Sequence, residues 1–475
     1  MFLRSPFTTF APMEEKKITE LSTKSIPRLL WQYALPAIIA MTAASILNIA
    51  DSYFIGNYVG GYAIGGMTAT LPFMNLASAF GAMVGVGAGS VISIRLGQKD
   101  YVTANRVMGN AMTLNLIIGL SVTAVCLTFL DPLLYMFGAT DHSIPFARDY
   151  MSVLLYGNVI SHSFFGINSI LRAMGHPSIA MQCNLLAVTL NCILDYIFMV
   201  HLGMGIHGVA LGTIISQAVA LTWQLFILSK PTEVLHFQRG IYRLSSRIVR
   251  QILSIGASPF LMNACACIVV LFINNRMLTY GNLLPITDGG DVAVAAYGID
   301  NRVVFCFLMI VMGLNQGMQP IAGYNWGARL DHRVWQVLRL TIFGGTLVTV
   351  CGWVVGTFFA EEVVRCFVSD PDVVAIAARG FRIDVAVFPI VGAQMVISNF
   401  FQSIGHAGKS VFLSLSRQLL ILVPALWLLP QWMGFDGVWW AIPMSDMISF
   451  IFALGMFIWL IRHIKHRKQT IQTAQ

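Results

Sequence analysis

The stretch Asn184-Leu-Leu-Ala-Val-Thr-Leu-Asn-Cys-Ile-Leu-Asp195 sets two asparagines and an aspartate inside an otherwise apolar run of helix length. At about 100° per residue, Asn184, Asn191 and Asp195 fall within roughly 40° of one another, so a helix carries them as one polar stripe. A carboxylate in such surroundings is costly, and its usual purpose inside a membrane is an ion or proton path. The competing reading is an aspartate held neutral or capped by its neighbours.

The rest of the chain supplies the membrane. Of 475 residues, 57% are hydrophobic and 11% charged, where a soluble protein carries about 25% charged residues. Apolar segments of spanning length begin near Trp31, Ile64, Asn105, Ile144, Ser178, Gly205, Arg247, Val292, Val334, Val374, Lys409 and Phe435. The expected fold class is therefore an all-α polytopic membrane protein of about twelve transmembrane helices. The net charge of +8 is not gathered into one patch, so nucleic acid is not an expected partner. Lys and Arg are dealt to alternate loops instead: the amino terminus (Arg4, Lys16, Lys17, Lys24, Arg28), Arg95 to Arg106, Arg172, Lys230 to Arg250, Arg329 and Arg333, Lys409, and the tail from Arg462 to Lys468. That pattern puts both termini in the cytoplasm. Arg276, Arg302, Arg365, Arg379 and Arg382 lie near the opposite ends and need partners such as Asp300 or Asp384. No secretory leader is evident, and Met13, followed by Glu-Glu-Lys-Lys, is an alternative start. The eight cysteines show no paired spacing and read as small core residues.

The chain repeats itself. Arg172-Ala-Met-Gly-His176 recurs as Gln402-Ser-Ile-Gly-His406, Gly205-Ile-His-Gly-Val209 as Gly434-Phe-Asp-Gly-Val438, Leu96-Gly-Gln-Lys99 as Trp326-Gly-Ala-Arg329, and Ala63-Ile-Gly65 as Ala296-Tyr-Gly298. Each copy holds an even number of helices, so the two insert as parallel repeats, and two lobes rocking about a midplane cavity is the usual meaning of that design. The expected divisions are a cytoplasmic segment (1–30), an amino-terminal six-helix lobe (31–229), a cytoplasmic linker (230–246), a carboxy-terminal six-helix lobe (247–462) and a basic tail (463–475).

Helix rise places Asp195, Asp51, Thr213 and Tyr150 at a common depth, roughly 7–12 Å below the outer edge. Four helices of one lobe thus converge on one ion-coupling or proton-coupling site. Two carboxylates there would share a proton, or Na⁺ could take its place on the oxygens of Asp51, Asn191, Asp195 and Thr213. In the second copy these acids are lost: the residue fifteen after Pro259 is Asn274, and Asn191 and Asp195 become Ile421 and Ala425. Asp300, Asp384 and Asp446, with Arg302 and Arg382 available to them, form a candidate network in the second lobe, read as structural ahead of a second ion site. Pro36 can kink the helix that carries Asp51. Asn48, Asn184, Asn158 and His162 are a candidate secondary polar site, with a satisfied core histidine the stronger reading of His162. The run Gly81-Ala-Met-Val-Gly-Val-Gly-Ala-Gly89 has no Lys-Ser/Thr after it and reads as a close-packing surface.

In combination these motifs resemble the bacterial multidrug and toxic compound extrusion (MATE) transporters over nearly the whole chain. The resemblance is carried by Pro36 with Asp51-Ser-Tyr-Phe-Ile-Gly56, Arg172-Ala-Met-Gly-His-Pro177, Asn191-Cys-Ile-Leu-Asp195, Gly205-Ile-His-Gly-Val-Ala210 with Thr213, and Gly313-Leu-Asn-Gln-Gly-Met-Gln-Pro320 leading to Tyr324-Asn-Trp-Gly327. It implies a V-shaped pair of six-helix lobes in the bacterial inner (plasma) membrane. It also implies export of small amphipathic, often cationic compounds against H⁺ or Na⁺, with no other cofactor and a functional monomer. Within the family it points to the branch whose coupling lies in the amino-terminal lobe, where Asp51, Asn191, Asp195, Thr213 and Tyr150 occupy the ion-site positions. An acid on the seventh helix, used by another branch, is missing from Ser258 to Asn275. The rival is a lipid-linked glycan flippase of the same two-lobe plan, which should line its cavity with Arg and Lys, whereas the apolar helices of the first lobe offer only Arg148. An intramembrane aspartyl protease lacks its Tyr-Asp and Gly-x-Gly-Asp signatures and a metalloenzyme its His-Glu-x-x-His, so no enzyme is expected.

Overall fold

The computed structural model describes the backbone of residues 19–473 apart from 59, 60, 138, 239 and 369, and side chains over that span apart from 46–66, 68, 69 and 463–473. The first three spans are single helices, α1 (Ile26–Tyr58), α2 (Gly61–Gly97) and α3 (Tyr101–Thr128). A short α4 (Leu130–Met136) follows, and the fourth span is broken into α5 (Ile144–Tyr156) and α6 (Asn158–Ala173). The fifth, α7 (Pro177–Tyr196), runs into a π segment (Ile197–His201), and α8 (Gly205–Leu228) is the sixth. The second lobe repeats the order with α9 (Ser246–Gly281), α10 (Gly289–Gly327), α11 (Asp331–Phe358) and a short α12 (Ala360–Arg365). Its tenth span is broken into α13 (Pro371–Asp384) and α14 (Phe388–Ser403); the eleventh is α15 (Ala407–Leu415), a π segment (Ser416–Leu422) and α16 (Val423–Met433); α17 (Phe435–Thr473) is the twelfth. Among the described residues, nine helical stretches are each long and apolar enough to cross a bilayer; α1 and the two broken spans complete the twelve.

The internal repeat reaches down to single backbone angles. Lys99 and Arg329, which end the matched Leu96 and Trp326 motifs, are both left-handed, at φ 60° and 59°. Gly175 and Gly405, in the matched Gly-His pairs, have φ of 97° and 83°, the conformation that stops a helix and that glycine adopts without a Cβ penalty. The fourth and tenth spans break at the same point of the repeat, and the fifth and eleventh both contain a π segment.

The lobes meet where α9 packs on α2 and α10 on α1. The closest approaches lie in the halves of these helices that adjoin the basic loops. A Cβ on Gly256 would stand 1.8 Å from the Met83 carbonyl oxygen, one on Gly87 2.2 Å from that of Ile252, and one on Gly327 2.1 Å from that of Ile94. The other glycines of the Gly81–Gly89 run face α6: Gly81 meets His162, Gly85 meets Gly166 and Gly89 meets Ser169. The run is a close-packing surface on two sides. The segment between α8 and α9 is held by Asn110, whose amide donates to Ile241 O at 3.1 Å and Arg243 O at 3.0 Å while its oxygen accepts from Ser245 N at 2.8 Å. His176 and Glu233, both buried, pair at 2.8 Å beside it. Helix α1 continues through the buried Pro36 without a break.

Candidate functional site

A cavity of about 340 Å³ opens within the first lobe, walled by α1, α2, α6, α7 and α8, with Asn263 and Gln316 reaching in from the second lobe. Its lining mixes apolar surface (Met41, Val86, Phe164, Phe165) with uncharged polar groups such as Asn75 and Gln217. Asn184 and Asn191 both face it, as one polar stripe of α7 requires. Asp195, one turn beyond Asn191, is fully buried behind this wall and packs against Gly212, where a Cβ would stand 2.3 Å from its Oδ1. Asn191 donates through Nδ2 to Asp195 Oδ1 at 2.9 Å and reaches Thr213 Oγ1 at 3.5 Å. Thr213 in turn donates to Val209 O at 3.1 Å. The Oδ1 of Asn191 is buried without a hydrogen-bond partner among the described residues. A carboxylate, an amide and a hydroxyl therefore share one spot at the cavity wall, with the amide nitrogen turned toward the two oxygens; the carboxylate suits a proton, and a hard cation such as Na⁺ would need the amide reversed to present its oxygen.

The structure places the other candidates unequally. Tyr150 is buried in the apolar cluster that includes Val209 and Ala210, one turn from Thr213. The side chains of Asp51 and Asn48 lie outside the described residues. Asn158 and His162 are kept from the cavity: Asn158 Nδ2 donates to Gly119 O at 3.3 Å, and His162 Nε2 meets Ala77 O at 2.9 Å. Both serve the packing of α6 on α2 and α3, so the grouping of Asn48, Asn184, Asn158 and His162 as one secondary site does not hold; Asn184 alone of the described three lines the cavity.

In the second lobe Asp300, Asp384 and Asp446 are all buried and are electrostatic neighbours. Their cation is Arg417, whose Nε donates to Asp446 Oδ1 at 2.6 Å. Arg302 is exposed and takes no part, because it follows Asp300 by two residues and so points to another side of α10. Arg382 is exposed as well, and the other three arginines at this end have contacts elsewhere: Arg365 pairs with Glu361, Arg379 with Asp436, and Arg276 stacks over Trp427. A second cavity of about 170 Å³ beside the cluster is lined by amides, among them Asn315, Gln394 and Gln418.

Two residues escaped the sequence reading. Arg417 stood in plain view as a charge within the largely apolar run from Val411 to Leu426, where it marks a buried partner. Arg172, counted there as a loop charge, occupies the last turn of α6 with its head in the first-lobe cavity. Asn168, four residues earlier on the same face, was its signal. Arg148, by contrast, pairs with Asp131 at the surface.

Comparison with known proteins agrees with this architecture. A profile of the MatE family matches residues 36–197 and 258–428. The multidrug export protein MepA of Staphylococcus haemolyticus (strain JCSC1435) is 27% identical over 446 residues, 94% of this chain and 96% of that protein. MepA of Staphylococcus aureus (strain MSSA476) is 27% identical over 464 residues, 98% and 99% of the two chains. Among solved structures, MATE in the bent conformation fits with a TM-score of 0.87 at 24% identity, over 96% of this chain and 99% of that one. A MOP superfamily transporter from Pyrococcus furiosus fits with a TM-score of 0.87 at 24% identity, over 95% and 99%. At that identity the likeness concerns the fold, a two-lobe membrane bundle. With one matched segment in each half of the duplicated fold, the chain belongs to the MatE family.

Proposed function

We propose that the protein is a secondary active multidrug exporter, moving small amphipathic, often cationic compounds outward in exchange for inward H⁺ or Na⁺. The observation that carries this reading is the buried Asp195, bonded to Asn191 and close to Thr213, at the wall of a cavity of about 340 Å³. An ion arriving there neutralises the carboxylate and changes the packing of α7 on α8, while substrate occupies the adjoining space. Exchange requires that ion and substrate favour different conformations, since a ligand that binds both equally shifts nothing. Asp51 on α1 and Tyr150 on α5 complete the site in this reading, and Pro36 lets α1 bend. The protein works as a monomer in the bacterial plasma membrane with both termini cytoplasmic, a transporter and not an enzyme. Its multidrug export is supported by the MepA relatives, which carry that description.

The test is dye flux in sealed proteoliposomes loaded with ethidium, under a pH gradient or a Na⁺ gradient imposed separately, for wild type and Asp195→Asn. Flux driven by one gradient and lost in the variant supports the exchange and names its ion. Flux driven by neither gradient removes the proposal. The flippase reading gains one guanidinium from Arg172, but a pyrophosphate calls for several cations, and the cavity lining has no other charged residue among those described.

A further inference from the structure

Arg172 is the single charged side chain in the described lining of the first-lobe cavity. Arginines at helix ends usually send the head outward to water along the stem; this one turns inward. Its Nη1 donates to Asn168 Oδ1 and its Nη2 to Ser169 Oγ at 3.0 Å. Asn168 is itself fixed, because its Nδ2 donates to Ala180 O at 2.9 Å and so leaves its oxygen for the guanidinium. These contacts orient the charge without cancelling it. The ion pairs among the described residues include none to Arg172. Asp195 stands eighteen residues along α7 from Pro177, about 27 Å of helix rise from the end where Arg172 lies. Asp51 stands twenty-five residues along α1 from Ile26, about 38 Å of helix rise from the same end, and Glu233 is engaged by His176.

A positioned guanidinium facing a cavity, with no counter-charge among the described residues, is a receptor for an anion, and its planar fork matches a carboxylate. Phe165, which is exposed, flanks the same space and offers apolar surface to a ring system. The cavity is thus dipolar, basic at the end near the basic loops and acidic behind Asn191. We propose that Arg172 is a specificity residue that anchors the carboxylate of amphiphiles carrying one, so that the cavity favours zwitterionic over purely cationic members of a substrate series. This inference rests on the export reading above.

Two dyes that share a fluorophore test it: rhodamine 110, with a free carboxylate, and rhodamine 123, its methyl ester. Export of each is followed in proteoliposomes, and binding by fluorescence anisotropy with purified protein, for wild type, Arg172→Gln and Arg172→Lys. Loss of the charged contact should lower the ratio of rhodamine 110 to rhodamine 123, in transport and in affinity, by about tenfold or more in Arg172→Gln. Arg172→Lys should restore part of the ratio, since it keeps the charge and loses the fork. A purely structural role would lower both dyes together, and an unchanged ratio in Arg172→Gln overturns the inference while leaving export intact. If wild type exports neither dye, the export reading falls and takes this inference with it.

Discussion

On the exchange mechanism proposed above, replacing Gly256 by alanine should shift the balance between two conformations of the lobes. The added methyl would lie 1.8 Å from the Met83 carbonyl oxygen, and an ordinary contact begins at 3.4 Å, so α9 and α2 must part by about 1.6 Å. The obstacle is backbone, which has no rotamer by which to yield. Overpacking of this kind costs about 1–3 kcal/mol, equivalent to about 5- to 150-fold in a conformational equilibrium. The cost falls on the state described here, closed at the end near the basic loops, and is relieved when the lobes separate there. Ser90, fully buried and bonded to Gln319 Nε2 at 2.9 Å across the lobe interface, is a suitable reporter. A Ser90→Cys protein lacking its other cysteines would be labelled with a membrane-impermeant maleimide from the basic-loop side. Gly256→Ala should speed labelling at least fivefold, whereas Gly298→Ala, with nothing within 4 Å of its would-be Cβ, should not. Equal labelling rates in Gly256→Ala and its parent would refute the idea that this glycine contact holds the lobes closed.

Two further outcomes concern stability. Asn110→Ala removes the partners of Ile241 O, Arg243 O and Ser245 N together and should cost about 1–3 kcal/mol, seen as a lower midpoint in a thermal shift assay in detergent. Arg148→Met should leave that midpoint nearly where it was, because the pair with Asp131 is exposed and solvent screens it. The Arg148 guanidinium holds the Asp131 carboxyl below its ordinary value. The small contribution of the pair is therefore present at neutral pH and lost as pH falls through that depressed value; a melting difference that grew toward alkaline pH would contradict this.

Spans, parity and duplication were legible because they depend on long averages. Twenty apolar residues make a span whatever their order, and the Gly-His and Gly-Gln-Lys motifs recur because the same turn is needed twice. The Asn184, Asn191 and Asp195 stripe was legible for a related reason: three residues on one helix fix their own relative angles. What one helix cannot reveal is the neighbour it faces. Asn158 and His162 share a face as their spacing requires, yet that face meets α2 and α3 and not the cavity. Arg302 was assigned to the network of Asp300, Asp384 and Asp446 by its depth along the helix, although two residues beyond Asp300 turn its side chain through about 200°. Arg172 was misplaced because a charge one turn from a helix end reads equally well as loop or as lining, and the hydrogen bonds to Asn168 and Ser169 decide between them.

Val86 and Gln316 border both the larger and the smaller cavity. They form a thin partition between two chambers that belong to different lobes, so any rocking at the α2 and α9 contact shears the partition and alters how much space is available on each side. Capacity itself then becomes a function of conformation. A guest too long for one chamber would fit only while the two are aligned, so length would be sorted by the partition and charge by Arg172, two independent criteria for one cavity system.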